Sequence, residues 1–218
     1  MFGAVVIARP TEELDMSSSD SRATAACTAW DNSECRGTPY CPPRCPRFES
    51  KSGTVLLVRP YEADDMDTLV RMYDDFDQYS RSMGLPPNGV SKIENWLDRL
   101  TERGWNLVAF DGNRAIGHVA VVPSDSVDYR WKFLIYIHQE YQNEGVGSEM
   151  IKQLVAYADE RDGNELALEV STGNERAITV YKNIGFEVVE RGLSELSMTL
   201  KLRRPLTRRV RRPPAERD

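Results

Sequence analysis

Six consecutive residues of the chain, Gln142-Asn143-Glu144-Gly145-Val146-Gly147, have the composition of an anion-binding turn. An apolar run that favours a strand, Phe133–Ile137, precedes them, and a run with helical periodicity, Gly147–Arg161, follows. A glycine turn that opens a helix leaves several backbone N–H groups unpaired. These groups and the positive end of the helix dipole suit a phosphate, and glycine lets the ligand approach the backbone closely. The stretch therefore predicts a phosphate site at the start of a helix.

Two well-known phosphate-binding motifs do not fit this turn. A Walker loop ends in Gly-Lys-Ser or Gly-Lys-Thr, whereas this chain continues Gly147-Ser148-Glu149 without a lysine. The dinucleotide fingerprint requires a third glycine, and Met150 stands at that position. Nucleotide hydrolysis by a Walker loop and dinucleotide binding are thus excluded as readings of the turn.

The remaining pattern, Gln-x-x-Gly-x-Gly, resembles the pyrophosphate loop of the GNAT superfamily of N-acetyltransferases. Downstream, the chain also matches that family's second motif, Asn-x-x-Ala-x-x-x-Tyr-x-x-x-Gly-Phe, at Asn174, Ala177, Tyr181, Gly185 and Phe186. The order of the two motifs and the distance between them agree with the family. The alternative is an α/β core whose turn contains glycines for local reasons.

The resemblance implies acetyl-CoA as co-substrate; no metal ligands are predicted, and a metal-binding module at Cys27 to Cys45 is the weaker alternative. In the family, amides of the glycine turn hold the pyrophosphate, and main chain of the preceding strand pairs with the pantetheine arm. Glu144 is a departure, since an acid here meets a phosphate, and we expect its side chain to face solvent. Carried onto this sequence, the cofactor-binding residues are Ile137, Gln142, Asn143, Glu144, Gly145, Val146, Gly147, Ser148 and Asn174.

Two side chains are the catalytic candidates. Tyr181 matches the family's general acid, which protonates the departing thiolate of coenzyme A; the alternative is a packed aromatic on an amphipathic helix. Glu169 is the candidate base, because the strand before the turn offers only Lys132 among charged residues. A solvated strand residue is the alternative for Glu169. His138, just before the turn, is expected to be structural.

The segment around Glu169 is similar to the pattern in ribosomal-protein alanine N-acetyltransferases of this superfamily. Leu168-Glu169-Val170 with Asn174 and Tyr181 carries that similarity. Ser171 stands where those enzymes usually have arginine, and the tyrosine pair expected after Arg191 is missing. The acceptor amine therefore stays open.

Strands and helices alternate in the middle of the chain, with hairpins towards both ends. This order predicts a mixed, mostly antiparallel central sheet flanked by helices, an α/β (α+β) arrangement like the GNAT fold. Gly117 inside a strand indicates a bulge or a close approach. The predicted elements are strands Thr54–Arg59, Trp105–Phe110, Arg114–Val122, Trp131–Ile137, Glu165–Ser171, Phe186–Glu190 and Glu195–Leu202, with helices Glu62–Tyr79, Val90–Arg103, Gly147–Arg161 and one from Asn174 through Tyr181.

Composition divides the chain into three parts. A hydrophobic content of 40% supports a folded core, which we place in residues 53–203. Residues 1–52 are rich in Ser, Thr and Pro without periodicity, so a disordered leader is expected there; it holds Cys27, Cys35, Cys41 and Cys45, whose spacing does not match zinc ribbons. Residues 204–218 form a basic Pro/Arg-rich segment, expected to be a disordered tail.

Charge and hydropathy bear on partners and location. Residues 53–200 carry 14 basic and 25 acidic side chains, whereas the tail is basic. Nucleic-acid binding by the tail is not favoured, because no aromatic residue interleaves its arginines. No run has the length of a membrane span, and a cytoplasmic protein is expected, with a homodimer as an open option.

The leading hypothesis is an acetyl-CoA-dependent N-acetyltransferase that acetylates a primary amine of a small molecule or a protein by direct attack in a ternary complex. The alternative is a non-catalytic, acyl-CoA-binding regulatory domain whose basic tail contacts nucleic acid.

Overall fold

The computed structural model describes residues 37–41, 43–77, 86–123 and 130–212, and in this part eight strands form one sheet. The strand order is β1-β2-β3-β4-β5-β6-β8-β7, and every neighbouring pair is antiparallel except β5 and β6. The strands are β1 Arg47–Glu49, β2 Val55–Pro60, β3 Trp105–Asp111, β4 Arg114–Pro123, β5 Arg130–Ile137, β6 Glu165–Ser171, β7 Glu187–Arg191 and β8 Glu195–Lys201. The predicted mixed, mostly antiparallel sheet is confirmed.

Helices cover both faces of this sheet, and the sheet separates two apolar cores. One core packs the first two helices against the sheet around Tyr73, Leu97 and Val108. The larger core lies on the other face around Met150, Leu166 and Met198. The helices are α1 Met66–Asp74, α2 Val90–Arg103, α3 Val146–Glu160, α4 Glu175–Ile184 and α5 Arg204–Arg211, with 3-10 turns at Ala63–Asp65 and Gln139–Tyr141. No described helix has both the length and the apolar character needed to span a membrane.

Periodicity predicted most of these elements within one or two residues. Helix α2 has the predicted bounds and buries Ile93, Trp96, Leu97 and Leu100 on one face, as its spacing requires. The predicted helix Glu62–Tyr79 is shorter: it begins as a 3-10 turn and ends at Asp74, and residues 78 and 79 lie outside the described residues.

Gly117 marks both a bulge and a close approach. The register between β3 and β4 shifts beside it, between Ala109 and Phe110. A Cβ at Gly117 would lie 2.7 Å from Met150 Sδ and 3.0 Å from Ile137 Cδ1, which is too close. Helix α3 can therefore lie directly against the sheet only because this position has no side chain.

Strands β5 and β6 pair only at their beginnings, from Arg130↔Glu165 to Lys132↔Ala167. β5 continues to Ile137 and β6 to Ser171, so the two strands separate in the middle of the sheet. Helix α3 follows β5 and helix α4 follows β6, so both begin at this opening. The opening is where ligands bind in sheets of this kind, because backbone groups there have no strand partner.

The described part of the predicted leader is ordered, which corrects the expectation of disorder up to residue 52. Strand β1 pairs with β2, and Cys41, Arg44 and Cys45 are buried. Cys41 and Cys45 are not bonded to each other, and Cys27 and Cys35 lie outside the described residues. The sequence shows no periodicity here because the buried residues of this short segment are of mixed character: the charged Arg44 and the two cysteines are all buried.

The beginning of the predicted basic tail is also ordered, as helix α5. Pro205 argued against a helix, but it lies in the first turn, where a missing N–H costs nothing. Thr207 and Val210 are buried against the domain, and Arg211 pairs with Asp159 of α3 at 2.9 Å. Residues 213–218 lie outside the described residues.

Arg44 joins both of these segments to helix α3. Its guanidinium donates to the two carboxylate oxygens of Glu149 at 2.7 and 2.9 Å, and to the carbonyl oxygen of Val210 in α5. The side chains of Arg44 and Glu149 are only 2% and 10% exposed. A bidentate pair with this burial is satisfied only while all three segments are present.

We expect the Arg44→Met substitution to lower the free energy of unfolding by about 3 kcal/mol, because it leaves Glu149 buried without its main partner. Lys152 Nζ stays 3.8 Å from that carboxylate, so the loss should fall at the low end of the range for broken buried pairs. Urea denaturation measures it.

The matched control is the double variant Arg44→Met, Glu149→Leu. Removing both charges should restore most of the lost stability, since no buried charge is left unpaired. Equal losses in the single and double variants would contradict the role assigned to the ion pair.

Candidate active site

A cleft of about 790 Å³ occupies the opening between β5 and β6. Its walls are the end of β5, the glycine turn, the first turn of α3 and the first turns of α4. Tyr181 and Asn174 line the same cleft as Gly145 and Gly147. The two motifs singled out in the sequence therefore meet at one site, although they lie about 30 residues apart in the chain.

The glycine turn adopts the geometry of an anion site. Gly145 lies in the left-handed region, with φ of 88°, and Asn143 also has a positive φ of 69°. Helix α3 then begins at Val146, so the first N–H groups of the helix have no partner within it. The side-chain amide of Gln142 donates to the carbonyl of Ile137 at 3.2 Å, which ties the turn to the end of β5.

Side chains of the turn divide into those that line the cleft and those that do not. Val146 is 1% exposed and belongs to the core, so only its backbone can serve a ligand. Glu144 also lies outside the cleft lining: its carboxylate accepts a hydrogen bond from Ser52 N at 2.8 Å. Of the predicted cofactor-binding residues, those that line the cleft are Ile137, Gln142, Asn143, Gly145, Gly147, Ser148 and Asn174.

The contact of Glu144 differs from the expected exposure to solvent. The carboxylate that would oppose a phosphate is instead paired with a backbone N–H of the N-terminal segment. Ser52, which lies outside the motif, thus provides a partner for the acid that departs from the family pattern.

Helix α4 positions the second group of residues. Asn174 is its N-cap, with Oδ1 accepting from Ala177 N at 3.1 Å, and it also lines the cleft. Tyr181 is two turns further along, and its ring contacts Phe133 and Phe186 at centroid distances of 6.4 and 5.6 Å. Burial raises the pKa of Tyr181 well above its ordinary value, because the phenolate would lose its solvation. Its hydroxyl is therefore protonated throughout the physiological range.

Glu169 lies beside the cleft rather than in it. It is not among the described residues that line the cleft, its side chain is 51% exposed, and its Oε1 lies 3.4 Å from Lys132 Nζ. The structure thus brings Tyr181 and the glycine turn together but does not bring Glu169 into the same cavity.

Aromatic side chains form the other end of the cleft, where Phe76 and Tyr136 line it. Sequence reasoning missed both, because Phe76 lies past the end of α1 and Tyr136 is one of several strand aromatics. Burial raises the pKa of Tyr136 to about 12. Its ring makes an edge-to-face contact with the ring of Tyr73, with 5.6 Å between the ring centroids. This contact holds Tyr136 against the core that surrounds Tyr73.

A buried hydrogen-bond chain fixes Tyr73 in turn. Its hydroxyl lies 2.7 Å from Nδ1 of His118, and Nε2 of His118 lies 3.0 Å from Asn106 Oδ1. Burial lowers the pKa of His118 to about 3, so the imidazole is neutral and Nε2–H donates to the amide oxygen while Nδ1 accepts from Tyr73. His118 thus supports the aromatic end without reaching the cleft.

The other histidine, His138, is fully buried and is not among the residues that line the cleft. Its Nε2 lies 3.0 Å from Asp75 Oδ2, and its Nδ1 accepts from Glu140 N at 3.4 Å. These contacts fix the chain between β5 and the glycine turn.

An eight-stranded mixed sheet that opens between two parallel strands, with a glycine turn at the opening, defines the class of GNAT-fold proteins. The sequence matches the family described as "Acetyltransferase (GNAT) domain" over residues 55–187. The chain belongs to this family, and the resemblance drawn from the two motifs is confirmed.

Known proteins with similar sequences or folds are mostly distant. A thialysine N-epsilon-acetyltransferase of Bos taurus is 37% identical over 51 residues, which cover 23% of this chain and 30% of that protein. The match thus spans less than a third of the curated relative's length.

Solved structures share the fold at low identity. The GNAT domain of S. lividans PAT has a TM-score of 0.61 at 21% identity, covering 71% of this chain and 95% of that one. Spermidine N-acetyltransferase from Vibrio cholerae, in complex with CoA and spermine, has a TM-score of 0.55 at 19% identity, covering 67% of this chain and 95% of that one. The ribosomal-protein-S18-alanine N-acetyltransferase from Escherichia coli has a TM-score of 0.55 at 17% identity, covering 67% of this chain and 94% of that one.

Acetyl-CoA is the co-substrate of GNAT acetyltransferases, and the cleft meets its chemical requirements. The unpaired amides at the start of α3 suit the pyrophosphate. A Cβ at Gly145 would meet no atom within 4 Å, and one at Gly147 would meet only Ile137 Cγ1, at 3.8 Å. Open space therefore lies above the turn, where the phosphates would be held.

We expect the Gly147→Ala substitution to weaken acetyl-CoA binding on the order of tenfold or more while leaving the domain as stable as before. The new methyl group contacts Ile137 at an ordinary distance and improves helix propensity, but it occupies the space above the turn. Calorimetric titration and thermal unfolding measure the two effects.

Gly145→Ala is the comparison, because its φ of 88° strains any L side chain, so it should lose stability as well as affinity. Unchanged acetyl-CoA affinity in Gly147→Ala would show that the pyrophosphate does not bind at this turn.

Proposed function

We propose that this protein transfers the acetyl group of acetyl-CoA to a primary amine of a small molecule or a protein. The observation that carries the proposal is the meeting of the glycine turn and Tyr181 in one cleft. In this proposal the turn binds the co-substrate, and Tyr181, which matches the family's second motif, is the general acid.

The bound co-substrate supplies a thioester whose acetyl carbon is open to attack by an unprotonated amine. A nitrogen–carbon bond forms, the carbon–sulfur bond breaks, the amine loses a proton and the sulfur gains one. The protein's tasks are therefore to hold the thioester, to receive one proton and to donate another.

Tyr181 is suited to donate. Burial raises its pKa, which keeps the hydroxyl protonated but makes it a weaker acid than a solvated tyrosine, so it can donate only to a strong acceptor. A thiolate developing in a water-poor cleft is such an acceptor, and a hydrogen bond to it lowers the barrier before the proton moves.

We expect Tyr181→Phe to lower kcat roughly 10²- to 10⁴-fold with little change in acetyl-CoA affinity, since only the proton donor is lost. Steady-state kinetics and calorimetry measure the two quantities. Tyr157→Phe is the matched control: Tyr157 is as buried as Tyr181 but lies outside the cleft lining, and its variant should keep full activity. A fully active Tyr181→Phe enzyme would reduce this tyrosine to a packing residue.

Glu169 is proposed as the proton acceptor acting through water. Its carboxylate is half exposed and lies outside the cleft, so a direct contact with the amine is not part of the proposal. The position beside the opening of the sheet and the similarity to the alanine acetyltransferase pattern support the role.

Glu169→Gln should slow turnover most near neutral pH, where the amine is protonated, and recover as the pH rises towards the pKa of the acceptor. The pH dependence of kcat/KM measures this. Lys132→Gln is the control, because it breaks the same ion pair without removing the carboxylate. An unaltered profile in Glu169→Gln, or the same defect in Lys132→Gln, would assign the proton to another route.

One observation keeps the second hypothesis, a binding domain without turnover, open to test. Exposed arginines of α5, among them Arg204 and Arg208, line a groove of about 520 Å³ and could contact a polyanion. Thiol release from acetyl-CoA with a panel of amines separates the hypotheses, since a pure binding domain releases none.

A further inference from the structure

We propose that Lys51, in the N-terminal segment, binds a phosphate group of coenzyme A. The inference rests on the proposed use of acetyl-CoA and adds a residue outside the matched family region, 55–187. It follows from how the turn between β1 and β2 is attached to the glycine turn.

The turn between β1 and β2 has a fixed shape. Ser50 N donates to Thr54 O at 2.9 Å, and Gly53 N donates to Ser50 O at 3.0 Å. Gly53 takes the positive φ of 86° that this shape requires. The hydroxyl of Ser50 adds contacts to Ser52 Oγ at 2.8 Å and to Thr54 N at 3.2 Å. Lys51 is therefore presented from a constrained backbone.

Two hydrogen bonds attach this turn to Glu144 of the glycine turn. Lys51 N donates to the carbonyl oxygen of Glu144 at 3.1 Å, and Ser52 N donates to its carboxylate at 2.8 Å. The two turns are thus held side by side. The same contacts direct the Glu144 carboxylate to Ser52, away from the cleft lining.

Lys51 lines the cleft together with Asn143 and Ser148. It forms no ion pair with any residue in the described ranges, and it is exposed. The other charged side chains of the cleft lining are Glu175 and Arg176, both at the start of α4. Lys51 is therefore the cation on the glycine-turn side of the cleft.

A cation is needed at that place on electrostatic grounds. Coenzyme A carries a pyrophosphate and a 3′-phosphate, whereas this chain has a formal net charge of −6 and an acid within the turn itself. Unpaired amides supply only partial positive charge. An ammonium group beside them offsets the repulsion and donates charge-assisted hydrogen bonds.

The experiment compares Lys51→Gln, Lys51→Arg and the control Lys92→Gln, an exposed lysine on α2 outside the cleft lining. Each is titrated calorimetrically with coenzyme A and with 3′-dephospho-coenzyme A. Lys51→Gln should weaken coenzyme A binding about tenfold, the low end for a charged hydrogen bond because the site is exposed. Lys51→Arg should restore most of the affinity, and Lys92→Gln should bind as the unaltered protein does.

The two ligands locate the phosphate. A loss seen only with coenzyme A assigns Lys51 to the 3′-phosphate, and an equal loss with both ligands assigns it to the pyrophosphate. Added salt should weaken binding less in Lys51→Gln than in the unaltered protein, because the charge that salt screens is gone.

Full affinity of Lys51→Gln for both ligands would overturn the inference while leaving the proposed function intact. Absence of coenzyme A binding in the unaltered protein would instead overturn the proposed function. A loss in Lys51→Gln that Lys51→Arg does not restore would mean that the side chain supports the turn rather than a phosphate.

Discussion

The buried ion pair between Arg44 and Glu149 is the contact on which the arrangement of this protein depends. Glu149 lies one turn into helix α3, and the glycine turn leads directly into the start of this helix. Because Arg44 also donates to the Val210 carbonyl, one guanidinium joins the N-terminal segment, α3 and α5. A second link, from Gln153 Nε2 to the Cys45 carbonyl at 2.6 Å, reinforces the same junction. The segments that flank the family region therefore belong to the structure that carries the active site.

The site itself depends on a different constraint, the separation of β5 from β6. Backbone left without a strand partner becomes available to a ligand, and the two helices that begin at the opening bring their first turns to it. Desolvation of their own hydroxyls raises the pKa of Tyr181 and of Tyr136, which both line the cleft. The proposed binding and the proposed proton donation both depend on the same gap in the sheet.

The sequence predicted the parts of this site that local patterns encode. Gly145 and Gly147 follow from backbone geometry, Asn174 from helix capping, and Tyr181 from its spacing within the second motif. The bounds of α2 and β6 were predicted correctly, because each has one consistent apolar face.

What the sequence did not predict depends on contacts between distant residues. Arg44 and Glu149 are 105 positions apart, and a charged residue in a Pro-rich stretch carries no local sign of burial. The role proposed for Lys51 depends on its position beside Glu144, which was itself expected to face solvent. Helix α5 was missed because Pro205 is disruptive in a helix interior but harmless in a first turn.

The Arg44 junction also sets an order of events during synthesis of the chain. Arg44 emerges early, but its acceptors on Glu149 and Val210 come 105 and 166 residues later. Closing such long loops costs entropy and slows folding, and the guanidinium cannot complete its contacts until α5 has been synthesised. The junction of the three segments is therefore among the last contacts that this part of the chain can complete. Lys51 lies in the same N-terminal segment as Arg44, so its segment is fully attached only once α5 is present.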